Sequence, residues 1–240
     1  MDSKARSRIE ALLDAQSFVE IGALVKSRST DFLQGAEKAA SDGVICGYGS
    51  ISGKPVYIYA QNRDVLSGSV GEMHGRKIAH LYDMAMKMGA PVVELLDSSG
   101  IRLEEATDAL YALSKLYKKK AQAKGLIPLY SVLYGQAGGG MALLASLSDF
   151  CFMENQEGRL FINAPDAVKG NKDASFSEGK AQEEAGNVDF SGTEEEIVKE
   201  LKKAFTLLPA NNEDAAYNED VEDNLNRAVD GFFDLKGREA

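Results

Sequence analysis

Leu133-Tyr134-Gly135-Gln136-Ala137-Gly138-Gly139-Gly140-Met141 is a glycine run set between an apolar strand and an apolar helix. A second loop upstream breaks in the same way: Val92-Val93-Glu94-Leu95-Leu96 is followed by Asp97-Ser98-Ser99-Gly100. Glycine at the end of a buried strand lets backbone N–H groups turn outward and lets a ligand approach the chain closely. Where a helix starts immediately afterwards, those N–H groups form a site for an anion or a developing oxyanion. Two such units in one chain point to chemistry at a carbonyl, performed by backbone amides.

Working outward, the core reads as strands alternating with helices. Strands are predicted over 43–49 and 55–60, flanking a hairpin turn at Ser52-Gly53. A helix follows over about 70–88, with Ile78, Leu81, Ala85 and Met88 on its apolar face and Gly89 as its stop. The strand 91–96 is apolar without alternation, as expected when both faces are covered. A second helix over about 104–124 repeats the pattern with Ala106, Leu110, Leu113 and Tyr117. Strand 127–133, a helix starting in the glycine run and carrying residues 141–147, and short strands at 149–153 and 160–162 complete the order. Repeated strand–strand–helix units imply an α/β fold.

The chain has 240 residues, 44% hydrophobic and 27% charged, ordinary values for a globular protein. No apolar run approaches the ~20 residues of a membrane helix and no signal-peptide pattern is read at the start, so no membrane span is expected and a cytoplasmic location is. Two cysteines, Cys46 and Cys151, exclude a disulfide framework or a four-cysteine zinc site. The net charge of −10 disfavours nucleic acid as a partner. Acidic residues accumulate after Lys172. The expected division is therefore a domain over 1–170 and an acidic C-terminal segment over 171–240. Within that segment Thr193 and Glu196 form a capping box, and Ile197, Leu201, Ala204, Phe205 and Leu208 share one face before Pro209. Residues 210–214 read as a linker, the expectation being that a second half is missing beyond it.

An ordered set of segments resembles the biotin-dependent acyl-CoA carboxyltransferases. It runs through Arg8-Ile9-Glu10-Ala11-Leu12-Leu13-Asp14, Ser17–Ile21, Asp42–Gly49, Gly53-Lys54-Pro55-Val56 and Gly68-Ser69-Val70-Gly71-Glu72-Met73-His74. It continues with the Asp97 loop, Arg102 and Glu105, the glycine run, Ser148-Asp149-Phe150, Leu160-Phe161-Ile162, Pro165-Asp166, Leu208-Pro209 and Asn211-Asn212. The resemblance implies a crotonase/ClpP-like ββα spiral fold and the first of two crotonase-like halves. That half chiefly holds coenzyme A and works with a second carboxyltransferase subunit. It further implies biotin on a separate carrier protein, an acyl-CoA thioester as substrate, no metal in this chain, and assembly with the second half or with a copy of itself. The same half serves carboxylases and decarboxylases, including the malonate type; a non-catalytic coenzyme A-binding module is the reading from a different class.

The resemblance places catalytic N–H groups at Gly139 and Gly140, and substrate contacts at Ser98, Ser99, Gly100, Gly138, Arg102 and His74. Arg102 pairs either with a coenzyme A phosphate or with Glu105; His74 either meets a ligand or is structural. Lys77 and Lys169 are further phosphate candidates. Ser99 departs from the family's Ser-Gly-Gly, and residues 168–173 lack the family's Thr-Gly-Glu-type stretch and histidine. No Ser–His–Asp arrangement is visible, and no carboxylate pair of the kind a crotonase-type hydratase needs.

Overall fold

A computed structural model describes residues 3–31, 41–164, 167 and 174–214 of the chain. Expectations for Pro165-Asp166, residues 168–173 with Lys169, and the acidic run after Asp214 lie outside the described residues.

The described strands are β1 (Val19–Ile21), β2 (Val44–Ile51), β3 (Lys54–Gln61), β4 (Val92–Ser98), β5 (Leu129–Gly138), β6 (Phe150–Glu154), β7 (Arg159–Phe161) and β8 (Phe190–Gly192). The helices are α1 (Lys4–Leu12), α2 (Glu72–Met88), α3 (Ala106–Ala123), α4 (Gly140–Ser146), α5 (Gly179–Glu184) and α6 (Glu194–Leu207). One mixed sheet has the order β1-β2-β3-β4-β5-β6-β8, with β7 on β5. The pairs β1–β2 and β2–β3 are antiparallel, and every pair from β3 onward is parallel.

The period-2 geometry of a strand explains the unbroken apolar runs. Tyr57, Tyr59, Val92, Leu96, Leu129 and Leu133 face the layer of α2, α3 and α4. Their neighbours Val56, Ile58, Val93, Leu95, Tyr130 and Val132 face α1 and α6. Both faces are covered, so a polar residue at either position needs a buried partner, as Glu94 has in Lys120.

Three expectations need correction. The glycine run does not leave the sheet at Leu133: β5 continues to Gly138, pairing Gln136, Ala137 and Gly138 with β7. Its glycines are there because neighbours occupy the space of a side chain, the Asp97 carboxylate at Gly135 and the Phe161 ring at Gly138. Met88 is exposed, although Ile78, Leu81 and Ala85 are buried as expected. In α3 Leu110 and Ala106 point outward, and the buried stripe is Ala109, Ala112, Leu113, Leu116 and Lys120. A lysine belongs to that stripe because Glu94 lies beneath it; Lys120 and Glu94 are both fully buried and ion-paired.

The hairpin at Ser52-Gly53 has positive φ at both residues (52° and 77°). The Asp14 carboxylate accepts from the Ser52 N–H (3.0 Å) and the Gly53 N–H (2.9 Å). Helix α6 carries the expected capping box and buries Ile197, Leu201 and Phe205 against the sheet. The linker-like residues are bonded to the domain: Asn211 Nδ2 donates to Gly89 O (2.8 Å), and the Asn212 N–H to Leu126 O (2.9 Å).

Candidate functional site

Parallel pairing of β4 and β5, with Ser98 opposite Ala137, brings the two glycine-containing loops side by side at the carboxyl ends of their strands. Ligands bind at such strand ends in open α/β sheets. The first loop is bound to the segment before α2. Ser98 Oγ donates to Gly68 O (2.8 Å) and accepts from the Gly100 N–H (3.1 Å), and the Ser99 N–H donates to Ser67 O (3.1 Å). Leu66, Ser67 and Gly68 all have positive φ (50°, 54° and 63°). Non-glycine residues in that region are strained, and such strain concentrates at ligand sites. Sequence periodicity contains no signal for it.

The second loop is shorter than expected. Gly139, with φ 56° and ψ −116°, turns the chain from β5 directly into α4. Its N–H donates to Phe161 O at 2.9 Å, so it is not an available donor, and Gly139 serves as a conformational joint. Gly140 is half-buried, and its N–H has no hydrogen-bond partner among the described residues. A Cβ built on Gly140 would lie 2.7 Å from Tyr117 Oη and 2.9 Å from Leu113 Cδ2, so a side chain there must displace the Tyr117 hydroxyl or the Leu113 methyl. Tyr117 was readable from the sequence only as one more member of an apolar helix face.

Arg102 and His74 lie inside the protein. The Arg102 guanidinium is 2% exposed and donates to Glu105 Oε1 (2.8 Å), Ser69 Oγ (3.1 Å), Ser69 O (2.7 Å) and Asp42 O (3.0 Å). Of the two pairings considered for it, the structure takes Glu105. His74 is fully buried between Gln61 Nε2 and Asp42 O, each at 3.3 Å. Burial, assisted by the Arg102 charge, pushes its pKa down to about 3, so the ring stays neutral. In both the structural alternative is the one seen: together they tie the residues around Asp42 to the start of α2. Lys77 is likewise committed, to Asp42 Oδ1 (3.1 Å) and Val44 O (2.7 Å).

Beside α4 a cavity of about 510 Å³ opens among Leu143, Phe161, Ile162, Phe176, Gln182 and Asp189. That size suits a small-molecule ligand. On the opposite side, Asp97 is held between Arg63 (3.4 Å) and Arg8 (3.6 Å), and burial raises its carboxyl pKa against both charges. Among the described residues no group of three or more His, Cys, Asp or Glu side chains could hold a metal ion, and no helix is long and apolar enough to cross a membrane.

A sheet whose central strand ends in a glycine joint and a short helix, flanked by a second loop at the same height, defines the crotonase-like class. Within that class the chain belongs to the carboxyl transferase domain family, whose pattern matches residues 3–231. It is 37% identical over 215 residues to the propionyl-CoA carboxylase beta chain of Saccharopolyspora erythraea, covering 87% of this chain and 39% of that one. Identity to the methylmalonyl-CoA decarboxylase subunit alpha of Veillonella parvula is 36% over 238 residues, covering 96% of this chain and 47% of the relative. The fold superposes on the transcarboxylase 12S hexamer structure solved with methylmalonyl-coenzyme A, with a TM-score of 0.83 and 32% identity over 89% of this chain and 43% of that one. The chain thus spans less than half the length of these relatives.

Proposed function

We propose that this chain is the acyl-CoA-holding half of a biotin-dependent carboxyltransferase, active with a second crotonase-type half. One observation carries the reading: the N–H of half-buried Gly140, unpartnered among the described residues, at the glycine joint where α4 begins. Moving a carboxyl group to or from the carbon beside a thioester passes through an enolate, whose charge collects on the thioester oxygen. A single preorganised donor aimed at such an oxygen contributes ~2.7–4 kcal/mol to the transition state. Gly140 is assigned that role, with Gly139 as the joint that aims it.

Ser98, Ser99, Gly100 and Gly138 are assigned to the walls that receive the thioester and its pantetheine arm. Biotin, on a separate carrier, supplies or accepts the carboxyl group when it is bound. The fit of this chain to its own part rests on the open N–H and on the adjoining cavity. The exposed Leu143, Ile162 and Phe176 on that cavity support a face closed by another chain, either the second half or a copy of this one. The decarboxylating direction is the second reading, favoured by a decarboxylase subunit aligning over 96% of this chain.

The test is carboxyl transfer from methylmalonyl-CoA to free biotin, using the chain co-purified with a co-expressed second crotonase-type subunit. Replacing Gly140 with Val is expected to lower turnover by about 100-fold or more while circular dichroism stays native, since the branched side chain displaces the donor peptide. A folded variant with near-wild-type transfer would falsify the Gly140 assignment. A wild-type pair that binds short acyl-CoAs but turns none over would leave a non-catalytic coenzyme A-binding module in its place, and a pair that does neither would leave a scaffold subunit.

A further inference from the structure

Helix α3 presents Tyr117 and Lys120 at positions i and i+3, and Lys124 follows directly at its C-cap. These three side chains grip α4 at both ends. At the start, Tyr117 Oη donates to Gly140 O at 2.7 Å. Past the end, Lys120 Nζ donates to Ser148 Oγ (2.7 Å), and Lys124 Nζ to Leu147 O (3.0 Å) and Ser148 O (3.2 Å). Cations at the terminal carbonyls of a helix complement its dipole and satisfy its last acceptors.

The grip matters because α4 cannot place itself. Seven residues are too few for an independently stable helix, and α4 opens on two adjacent glycines, the most pliable joint a chain can have. Two bonds pin that joint from opposite sides. The Gly139 N–H is held by Phe161 O, and the Gly140 carbonyl is held by the Tyr117 hydroxyl. Tyr117 also stands where a Gly140 side chain would be, so hydroxyl and glycine fit each other directly. Burial keeps the phenol protonated and therefore a donor.

We propose that Tyr117 is a positioning residue for carboxyl transfer: its hydroxyl holds the Gly140–Met141 peptide, Phe161 O holds the Gly138–Gly139 peptide, and the Gly139–Gly140 peptide between them is thereby fixed so that the Gly140 N–H is aimed at the thioester oxygen in advance. The proposal rests on the role assigned to Gly140 above. Preorganisation of this kind acts on the transition state and not on the coenzyme A portion, so it belongs to kcat. Without the hydroxyl, the glycine joint samples other orientations while the helix, still held at Lys120 and Lys124, stays in place.

The experiment compares wild type with Tyr117→Phe, each co-purified with the second crotonase-type subunit, in methylmalonyl-CoA-to-biotin transfer. Thermal melting and amide hydrogen exchange of the peptide containing Gly140 are measured on the same samples. The expected result is a fall in kcat of about tenfold with KM changed less than about twofold. Exchange should quicken at Gly140 while the melting temperature barely moves. Unchanged kcat in Tyr117→Phe, alongside an inactive Gly140→Val, overturns the Tyr117 assignment alone. A joint loss of melting temperature, KM and kcat also overturns it, since that is the signature of a structural residue. Full activity in both variants, or an inert wild-type pair, overturns the Gly140 reading and this proposal with it.

Discussion

His74 illustrates how much a single side chain owes to neighbours distant in sequence. Gln61 Nε2 donates to one ring nitrogen, and the other nitrogen donates to Asp42 O, an arrangement that requires the neutral ring. Its folded pKa of about 3 lies below the ordinary 6.5. The unfolded chain therefore binds a proton that the folded one refuses between those values. The sign follows: His74 contributes fully above pH 6.5, and the contribution is lost progressively as pH falls toward 3. Urea midpoints for the wild type should accordingly drop between pH 7 and pH 4, and His74→Gln should flatten that drop. Equal slopes in the two proteins would show that the ring is not held neutral. Nothing local to Met73-His74-Gly75 reveals this, because Asp42, Gln61 and Arg102 arrive from three other parts of the chain.

At the scale of elements, α3 shows where periodicity misleads. Leu110, Leu113 and Tyr117 lie on one helical face and read as its buried side, yet the helix is turned so that Lys120 enters the core. There Glu94 collects the hydroxyls of Tyr59, Tyr82 and Ser131 and the Lys120 ammonium, all of them buried. Burial lowers the Lys120 pKa against the pull of Glu94. Breaking one partner of such a pair strands the other, at a cost of about 3–5 kcal/mol. Lys120→Met should therefore destabilise strongly in urea denaturation, and adding Glu94→Gln should restore most of the loss. If the double variant is as unstable as the single, the network matters for its hydrogen bonds and not for its charge pair. The same turn of α3 sets Tyr117 against Gly140, so the core network and the candidate site share one helix register.

For the whole molecule, the exposed Leu143, Ile162 and Phe176 around one cavity predict association. Light scattering should give a dimer or larger species for the chain alone or with a second crotonase-type subunit. A stable monomer that ignores that subunit would contradict the half-site reading. The sequence by itself determined the α/β class, the order of elements from β2 to β7, the Ser52-Gly53 hairpin, the capping box of α6 and the two glycine-containing loops. These are local: they follow from side-chain period, turn residues and glycine placement, whereas α1, β1, α5 and β8 carried no signal that was read. The resemblance to carboxyltransferases, which the family match bears out, was likewise legible as an ordered set of short segments. Only the tertiary structure decided that β5 runs on to Gly138, that the Gly139 N–H is consumed by Phe161 while the Gly140 N–H finds no partner among the described residues, and that Arg102 and His74 are internal supports. Each of those outcomes depends on which distant atom fills a donor's or acceptor's valence. That is settled by packing, and no periodicity along the chain encodes it.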